Sequence, residues 1–128
     1  MTKYLLDTHV LLWLLQDDAR LSEPSRRILF DRMSHKYVSV VSLWEIAIKT
    51  RIGKLELEAG MPEINKKIDH YGFGMIGLDR RCVEIYNTLP LLHRDPFDGM
   101  LVATASLKEM TIITADENIH KYTVKWVW

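Results

Sequence analysis

A single cysteine, Cys82, leaves no internal disulfide framework to build and fits a reducing compartment. Its place in DRRCVEIY is that of a buried helix residue. No apolar run approaches the roughly eighteen residues that a membrane-spanning helix needs. The opening segment MTKYLLDTHVLLWLL is apolar, but Asp7 and His9 interrupt it and no small-residue cleavage site follows. Neither a signal peptide nor a membrane anchor is expected, and a cytoplasmic location is. Charge of one sign is missing as well, since 17 basic residues balance 17 acidic ones. The chain thus lacks the basic excess of most nucleic-acid binders, although drawing acids into a metal site would leave the remaining surface slightly basic. Also absent are a Cys/His cluster of zinc type, a Walker-type loop, HExxH and GxSxG, and with them the chemistries those motifs carry. There are no repeats or linkers. What remains is one domain, residues 1–128, 48% hydrophobic and long enough for a real core.

Strands and helices alternate along it. KYLLD reads as a short buried strand and HVLLWLLQ as a strongly apolar helix. Asp17, Asp18, Ser22 and Pro24 mark the turn into a helix over SRRILFDRM, with Ile28, Leu29 and Met33 apolar. KYVSVV is a second strand, and SLWEIAIKTRI a helix that Gly53 stops. PEINKKIDHY is helical, FGMIGL a weak strand, and Asp79 caps RRCVEIYNTL before Pro90. Asp95 as cap and Pro96 at the first helical position start the helix of DPFDGMLVATASLKEM. TIIT and TVKWVW are the last strands. The alternation predicts a parallel sheet covered on both faces.

Four acids stand at or just beyond the ends of these elements: Asp7 after YLL, Glu45 in SLWEIAIK, Asp98 in DPFDGM, and Asp116 after IITA. In a parallel α/β domain, strand C-termini and helix N-termini meet in one crevice, so the four can converge. Carboxylates gathered without matching cations need neutralising, and a hard divalent cation with oxygen ligands is the simplest neutraliser. Mg²⁺ is the expected ion, with Mn²⁺ as the other candidate, and Asp7, Glu45, Asp98 and Asp116 are its expected ligands. Such an ion polarises a phosphodiester, which points to a nuclease. Each acid also has a purely structural reading. Asp7 can cap the following helix, and Ser42 with Glu45 has the spacing of a capping box. Asp95 is assigned to capping and Asp98 to the site. Thr114 can orient a metal-bound water or a carboxylate through its hydroxyl, and ordinary strand packing is the other reading.

Other features carry less. Gly72–Gly77 matches GxGxxG but lacks the preceding strand, and reads as a tight loop around a short strand. Among the histidines, His9 can touch phosphate or orient Asp7, and His93 lines the mouth, while His35, His70 and His120 read as surface or turn residues. Lys49, Arg51 and Arg94 are candidate phosphate contacts. The first helix is apolar almost all round, and with Ile28, Leu29 and Phe30 it offers more apolar surface than one small core absorbs, which suggests a partner groove or a second subunit.

LLDTHVLLWLLQDDARLS, VSVVSLWEIAIKTRIGKLEL, HRDPFDGMLVATA and TIITADENI resemble, in order, the four blocks of the PIN-domain family and within it the VapC toxins of prokaryotic type II toxin–antitoxin systems. The resemblance runs through nearly the whole chain. It maps the family's acidic site onto Asp7, Glu45, Asp98 and Asp116, with Thr114 as the accessory hydroxyl. It implies a three-layer α/β/α fold with a five-stranded parallel sheet of order 3-2-1-4-5. It also implies a Mg²⁺- or Mn²⁺-dependent endoribonuclease, dimerisation, and inhibition by a cognate antitoxin whose C-terminal segment covers the site, with transfer or ribosomal RNA as substrate. A basic residue usually follows DPFD in similar proteins, and here Gly99 does. The alternatives are a structure-specific DNA nuclease and a non-catalytic RNA-binding or interaction domain.

Overall fold

Leu5 and Leu6 are neighbours on the first strand, β1 (Lys3–Leu6), and their side chains leave opposite faces of the sheet. Each enters one half of the core. Leu6 packs with Val10, Leu11, Leu29, Ile46, Ile64, Ile68 and Ile113, while Leu5 packs with Leu101, Val102, Ala105, Ile112, Ile119 and Tyr122. All are buried, so the C-terminal half of β1 is apolar on both faces, while Lys3 and Tyr4 at its start are only partly covered.

The computed structural model describes residues 1–128. After β1 come α1 (Thr8–Leu15), α2 (Glu23–Phe30), β2 (His35–Ser39), α3 (Val40–Arg51), α4 (Met61–His70) and β3 (Gly74–Ile76). Then follow α5 (Arg80–Thr88), α6 (Pro96–Lys108), β4 (Thr111–Ile113), α7 (Glu117–His120) and β5 (Trp126–Val127). All strand pairs are parallel and the order is β3-β2-β1-β4-β5. The three-layer sandwich and strand order expected above are those observed. Helices α1, α2 and α4 cover the Leu6 face, and α6 and α7 the Leu5 face. Cys82 of α5 is buried, as expected. No helix is long and apolar enough to cross a membrane.

Several element boundaries differ from the sequence expectations, each for a local reason. The strand read over KYVSVV stops at Ser39, whose hydroxyl accepts the Val41 amide and starts α3 at Val40. The capping-box reading of Ser42 and Glu45 therefore fails. Ser42 lies inside the helix, and its hydroxyl accepts one from Thr8 at 2.8 Å. Helix α2 begins earlier, because Ser22 caps it through the Ser25 amide, and ends at Phe30, which leaves Met33 outside and 84% exposed. The short α7 was not foreseen; one turn offers too little periodicity to read. Gly53 does end α3, at φ 75°.

The expected apolar surplus is also corrected. Val10, Leu11, Leu12, Leu14 and Leu29 are all buried, and Trp13 packs on Trp128 with ring centroids 5.7 Å apart. The core absorbs α1, because the helix lies between the sheet and its neighbours. Phe30 alone of that set stays largely exposed.

Gly99 has a steric explanation. A Cβ there would lie 2.7 Å from Cε2 of Tyr86, so the α5 ring fills the space a side chain would take. In an ordinary helix interior Gly→Ala gains about 0.8–1 kcal/mol. Here Gly99→Ala is expected to lose stability in the native background and to recover that gain when Tyr86 is also Ala. Urea denaturation of the four proteins measures the coupling. Equal effects of Gly99→Ala in both backgrounds would remove the Tyr86 contact as the reason for the glycine.

Candidate metal centre

The C-terminal ends of β1 and β4 are adjacent, since Leu6 pairs with Ile113. The next residue on one strand is Asp7, whose amide donates to the Ile113 carbonyl at 3.1 Å. One residue past β4 is Thr114. Its hydroxyl donates to Asp7 Oδ2 at 2.6 Å and accepts the Asp116 amide at 3.0 Å. A completely buried threonine, 107 residues from Asp7 in sequence, thus ties Asp7 to the backbone of Asp116. The other oxygen of Asp7 accepts the His9 amide at 3.2 Å, which starts α1. Asp116 caps α7 through the Asn118 amide at 2.8 Å.

Asp98 and Glu45 arrive on helices. Asp95 caps α6 by accepting the amides of Phe97 and Asp98, the structural role assigned to it from sequence. That leaves the Asp98 carboxylate in the first turn, 4% exposed, with Oδ2 3.0 Å from His93 Nε2. Glu45 is 1% exposed on α3. Its Oε2 accepts from the Lys49 ammonium one turn on, and its Oε1 is buried with no hydrogen-bond partner. The hydrogen bond from Thr8 to Ser42 fastens the start of α1 to α3 beside it.

The electrostatics follow from this crowding. Burial, followed by the charges of Asp7, Asp95, Asp116 and Glu45, pushes the Asp98 carboxyl up to about 8. Burial also raises Asp7, against the Thr114 hydrogen bond and the charge and amide of His9, with the Asp116 charge adding to the rise. Burial pulls the Lys49 ammonium down, but the hydrogen bond and charge of Glu45, with the charges of Asp95 and Asp98, hold it above the usual lysine value. All four acids thus share one electrostatic neighbourhood.

Of the residues picked from sequence, Asp98 and Asp116 come together. One ligand atom from each, with one from His93, all lie within 4.8 Å of one another. Asp7 and Glu45 flank that group, turned toward Thr114 and Lys49. His9 stays on the rim, its ring 3.9 Å from Asp7 and 6.1 Å from the Trp13 ring centroid. Arg51 and Arg94 are exposed and form no ion pair. His93, placed only at the mouth by the sequence, is inside the group. Its hidden signal is that DPFD folds as a capped helix start, which turns the preceding residues back over Asp98.

The donor set suits a hard divalent cation. It offers carboxylate oxygens, excess negative charge, and an orphaned buried oxygen on Glu45 that a positive charge would satisfy. The family profile described as PIN domain matches residues 4–125. The chain belongs to the PIN-domain family. No curated protein sequence matches it. Among solved structures, this PIN domain is similar to one chain of a toxin–antitoxin complex from Klebsiella pneumoniae, at TM-score 0.67 and 16% identity over 98% of this chain and 97% of that one. It is similar to a chain of VapBC2 from Rickettsia felis, bound to a DNA fragment from their promoter, at TM-score 0.70 and 14% identity over 98% of each chain. It is also similar to a chain of FitAcB from Neisseria gonorrhoeae, at TM-score 0.61 and 18% identity over 98% and 96%.

A carboxyl raised to about 8 from its ordinary 3.8 makes the folded state bind that proton more tightly than the unfolded chain does. The metal-free protein therefore keeps full stability from this group below about pH 4 and loses it progressively up to about pH 8. Thermal melts in chelator should fall between pH 5 and 8, fall less in Asp98→Asn, and recover in the native protein with saturating Mn²⁺. Superimposable pH profiles for the native protein and Asp98→Asn would exclude Asp98 as the source of the loss.

Proposed function

We propose that this PIN domain is a metal-dependent endoribonuclease toxin, held in check by a cognate antitoxin. The observation that carries the reading is the convergence of Asp7, Glu45, Asp98 and Asp116, buried or half-buried, at one sheet edge with too few cations among them. Asp98 and Asp116, flanked by Asp7 and Glu45, would hold Mg²⁺ or Mn²⁺. When bound, the ion supplies Lewis-acid stabilisation of the charge that develops on a phosphodiester under attack. The protein's own groups hold that centre in place. Thr114 fixes the rotamer of Asp7, the Asn118 amide fixes Asp116, and Lys49 balances Glu45. Lys49, His9, Arg51 and Arg94 are the candidates for backbone phosphates of the substrate, which such contacts position without reading its sequence.

The partners on this reading are an RNA substrate, an antitoxin and a second copy of the chain. Support for the antitoxin comes from the similar Klebsiella pneumoniae structure, which is a toxin–antitoxin complex. A groove of mixed polarity beside α1 adds to it. It measures about 490 Å³ and is lined by Leu12, Leu15, Leu57 and Ile64, with Glu56, Glu58 and Lys67 around it.

The test is cleavage by tag-free protein of folded RNA, single-stranded RNA and branched DNA, each with Mg²⁺, Mn²⁺ or chelator. RNA cleavage should require metal. It should fall about a hundredfold or more in Asp98→Asn, equivalent to roughly 3 kcal/mol of transition-state stabilisation. An isosteric amide removes the charge with little change of shape, so a folded but inactive variant is the expected result. Undiminished RNA cleavage by Asp98→Asn, or cleavage confined to branched DNA, would overturn the proposal.

A further inference from the structure

His93 turns a ring nitrogen into the acidic centre, 3.0 Å from Asp98 Oδ2. We infer that its Nε2 coordinates the divalent ion beside Asp98 and Asp116, making this a mixed nitrogen–oxygen metal site. The inference rests on the metal reading above and goes beyond it, because an all-oxygen acidic site and one containing imidazole differ in the ions they prefer.

The geometry carries it. Six-coordinate Mg²⁺- or Mn²⁺-type sites place ligands at about 2.1 Å, so neighbouring ligand atoms stand about 3.0 Å apart and opposite ones about 4.2 Å. His93 Nε2 and Asp98 Oδ2 are 3.0 Å apart, the neighbouring spacing, and one ligand atom each of His93, Asp98 and Asp116 lie within 4.8 Å of one another, close enough for a small closure around an ion. The spacing also suits a plain hydrogen bond, but a hydrogen bond to Asp98 alone does not require the third group. Glu45 supplies an independent observation. Its Oε1 is buried and unpartnered, and its charge acts on Asp98. A buried, unpartnered carboxylate oxygen whose charge is felt by Asp98 is what a cation in this crevice would satisfy.

Local structure holds the imidazole there. Asp95 takes two amides of the first turn of α6, so the chain reverses at that cap and residues before it lie back over Asp98. Pro90 and Pro96 fix φ on both sides of the loop, and the Leu92 amide donates to the Pro90 carbonyl at 2.8 Å. The ring is partly exposed, with side-chain exposure of 22%, so an ion can reach it from solvent. The other nearby histidines are used elsewhere. His9 Nδ1 stops 3.9 Å from Asp7, and His120 Nε2 bonds the Thr114 carbonyl at 2.9 Å while its ring stacks on Trp126.

Imidazole favours Mn²⁺ and later transition ions over Mg²⁺, which keeps oxygen ligands and water. The decisive measurement is pulsed EPR of Mn²⁺ added to tag-free protein, which reads nitrogen hyperfine coupling from a ligating ring. The native protein should show that coupling, with the ¹⁵N pattern when the protein is ¹⁵N-labelled. His93→Gln should lose it and bind Mn²⁺ roughly tenfold or more weakly, while Mg²⁺ affinity changes less. Bound Mn²⁺ without nitrogen coupling in the native protein overturns the inference, and that spectrum needs no variant to fold. Coupling that persists in His93→Gln overturns it too, in favour of His9. If Mn²⁺ binds without nitrogen coupling and Asp98→Asn abolishes binding, the acidic centre stands and His93 falls. If the native protein takes up no Mn²⁺, both readings fall together.

Discussion

Carboxylates crowded away from water must each be compensated, and that requirement organises the C-terminal edge of this sheet. A buried charge left alone costs several kcal/mol, so every acid here has acquired a different counterweight. Asp7 takes the Thr114 hydroxyl and a helix-start amide, Asp116 takes a helix-start amide, Glu45 takes Lys49, and Asp98 takes His93. The compensation is incomplete in two places. Asp98 is driven up to about 8, and Glu45 keeps one buried oxygen with no partner. Those two deficits lie in the same neighbourhood, where one positive charge would relieve both.

The fold exists around this edge in a specific sense. Strand β1 is flanked by β2 and β4, so Asp7 is central and the residues that follow β2 and β4 are its neighbours. Because Leu5 and Leu6 anchor opposite halves of the core, β1 cannot slip by one residue without turning both out of their clusters. That register delivers Asp7 beside Thr114. The hydrogen bond from Thr8 to Ser42 does the same service between α1 and α3, and so places Glu45. On the other side, Gly99, Ala103 and Ala105 make α6 small and buried, and Tyr86 closes over Gly99 where a side chain would otherwise stand. The absence of a basic residue after DPFD is thus a packing solution in this chain.

Much of this was legible in the sequence, and the failures share a cause. Strand–helix alternation gave a covered parallel sheet, and the four family-like blocks supplied its order. Asp7, Asp98 and Asp116 could be picked because they stand at element ends, whereas Glu45 lies mid-way along α3 and was reached through the family-like block around it. What sequence could not separate was local capping from long-range contact, since both use short polar side chains at element ends. Ser39 and Ser42 illustrate it. Either can cap α3, and only the position of Thr8 decides that Ser42 is occupied elsewhere. The apolar surplus of α1 misled for a related reason, because periodicity shows how much surface is apolar and not how many neighbours will cover it. His93 was underrated because its reach to Asp98 depends on the reversal that the Asp95 cap produces, five residues of local geometry that no spacing rule encodes.

The double use of Asp7 and Asp116 as caps has a consequence for how the site is built. Their carboxylates are held by backbone amides of α1 and α7, bonds worth about 1.5–3 kcal/mol each when the acceptor is charged. They are therefore fixed by the fold whether or not an ion is present. Asp98 and Glu45 cap nothing and accept only from side chains, His93 and Lys49. The site accordingly has a rigid half, set by helix starts, and a responsive half, set by groups that can exchange one partner for another. A cation entering between them would change little at the rigid half. At the other it would replace a costly arrangement, with Asp98 releasing its proton and the unpartnered oxygen of Glu45 gaining a charge to face. On the metal-binding reading, discrimination among ions would reside on the α3–α6 side of the crevice, where compensation is weakest.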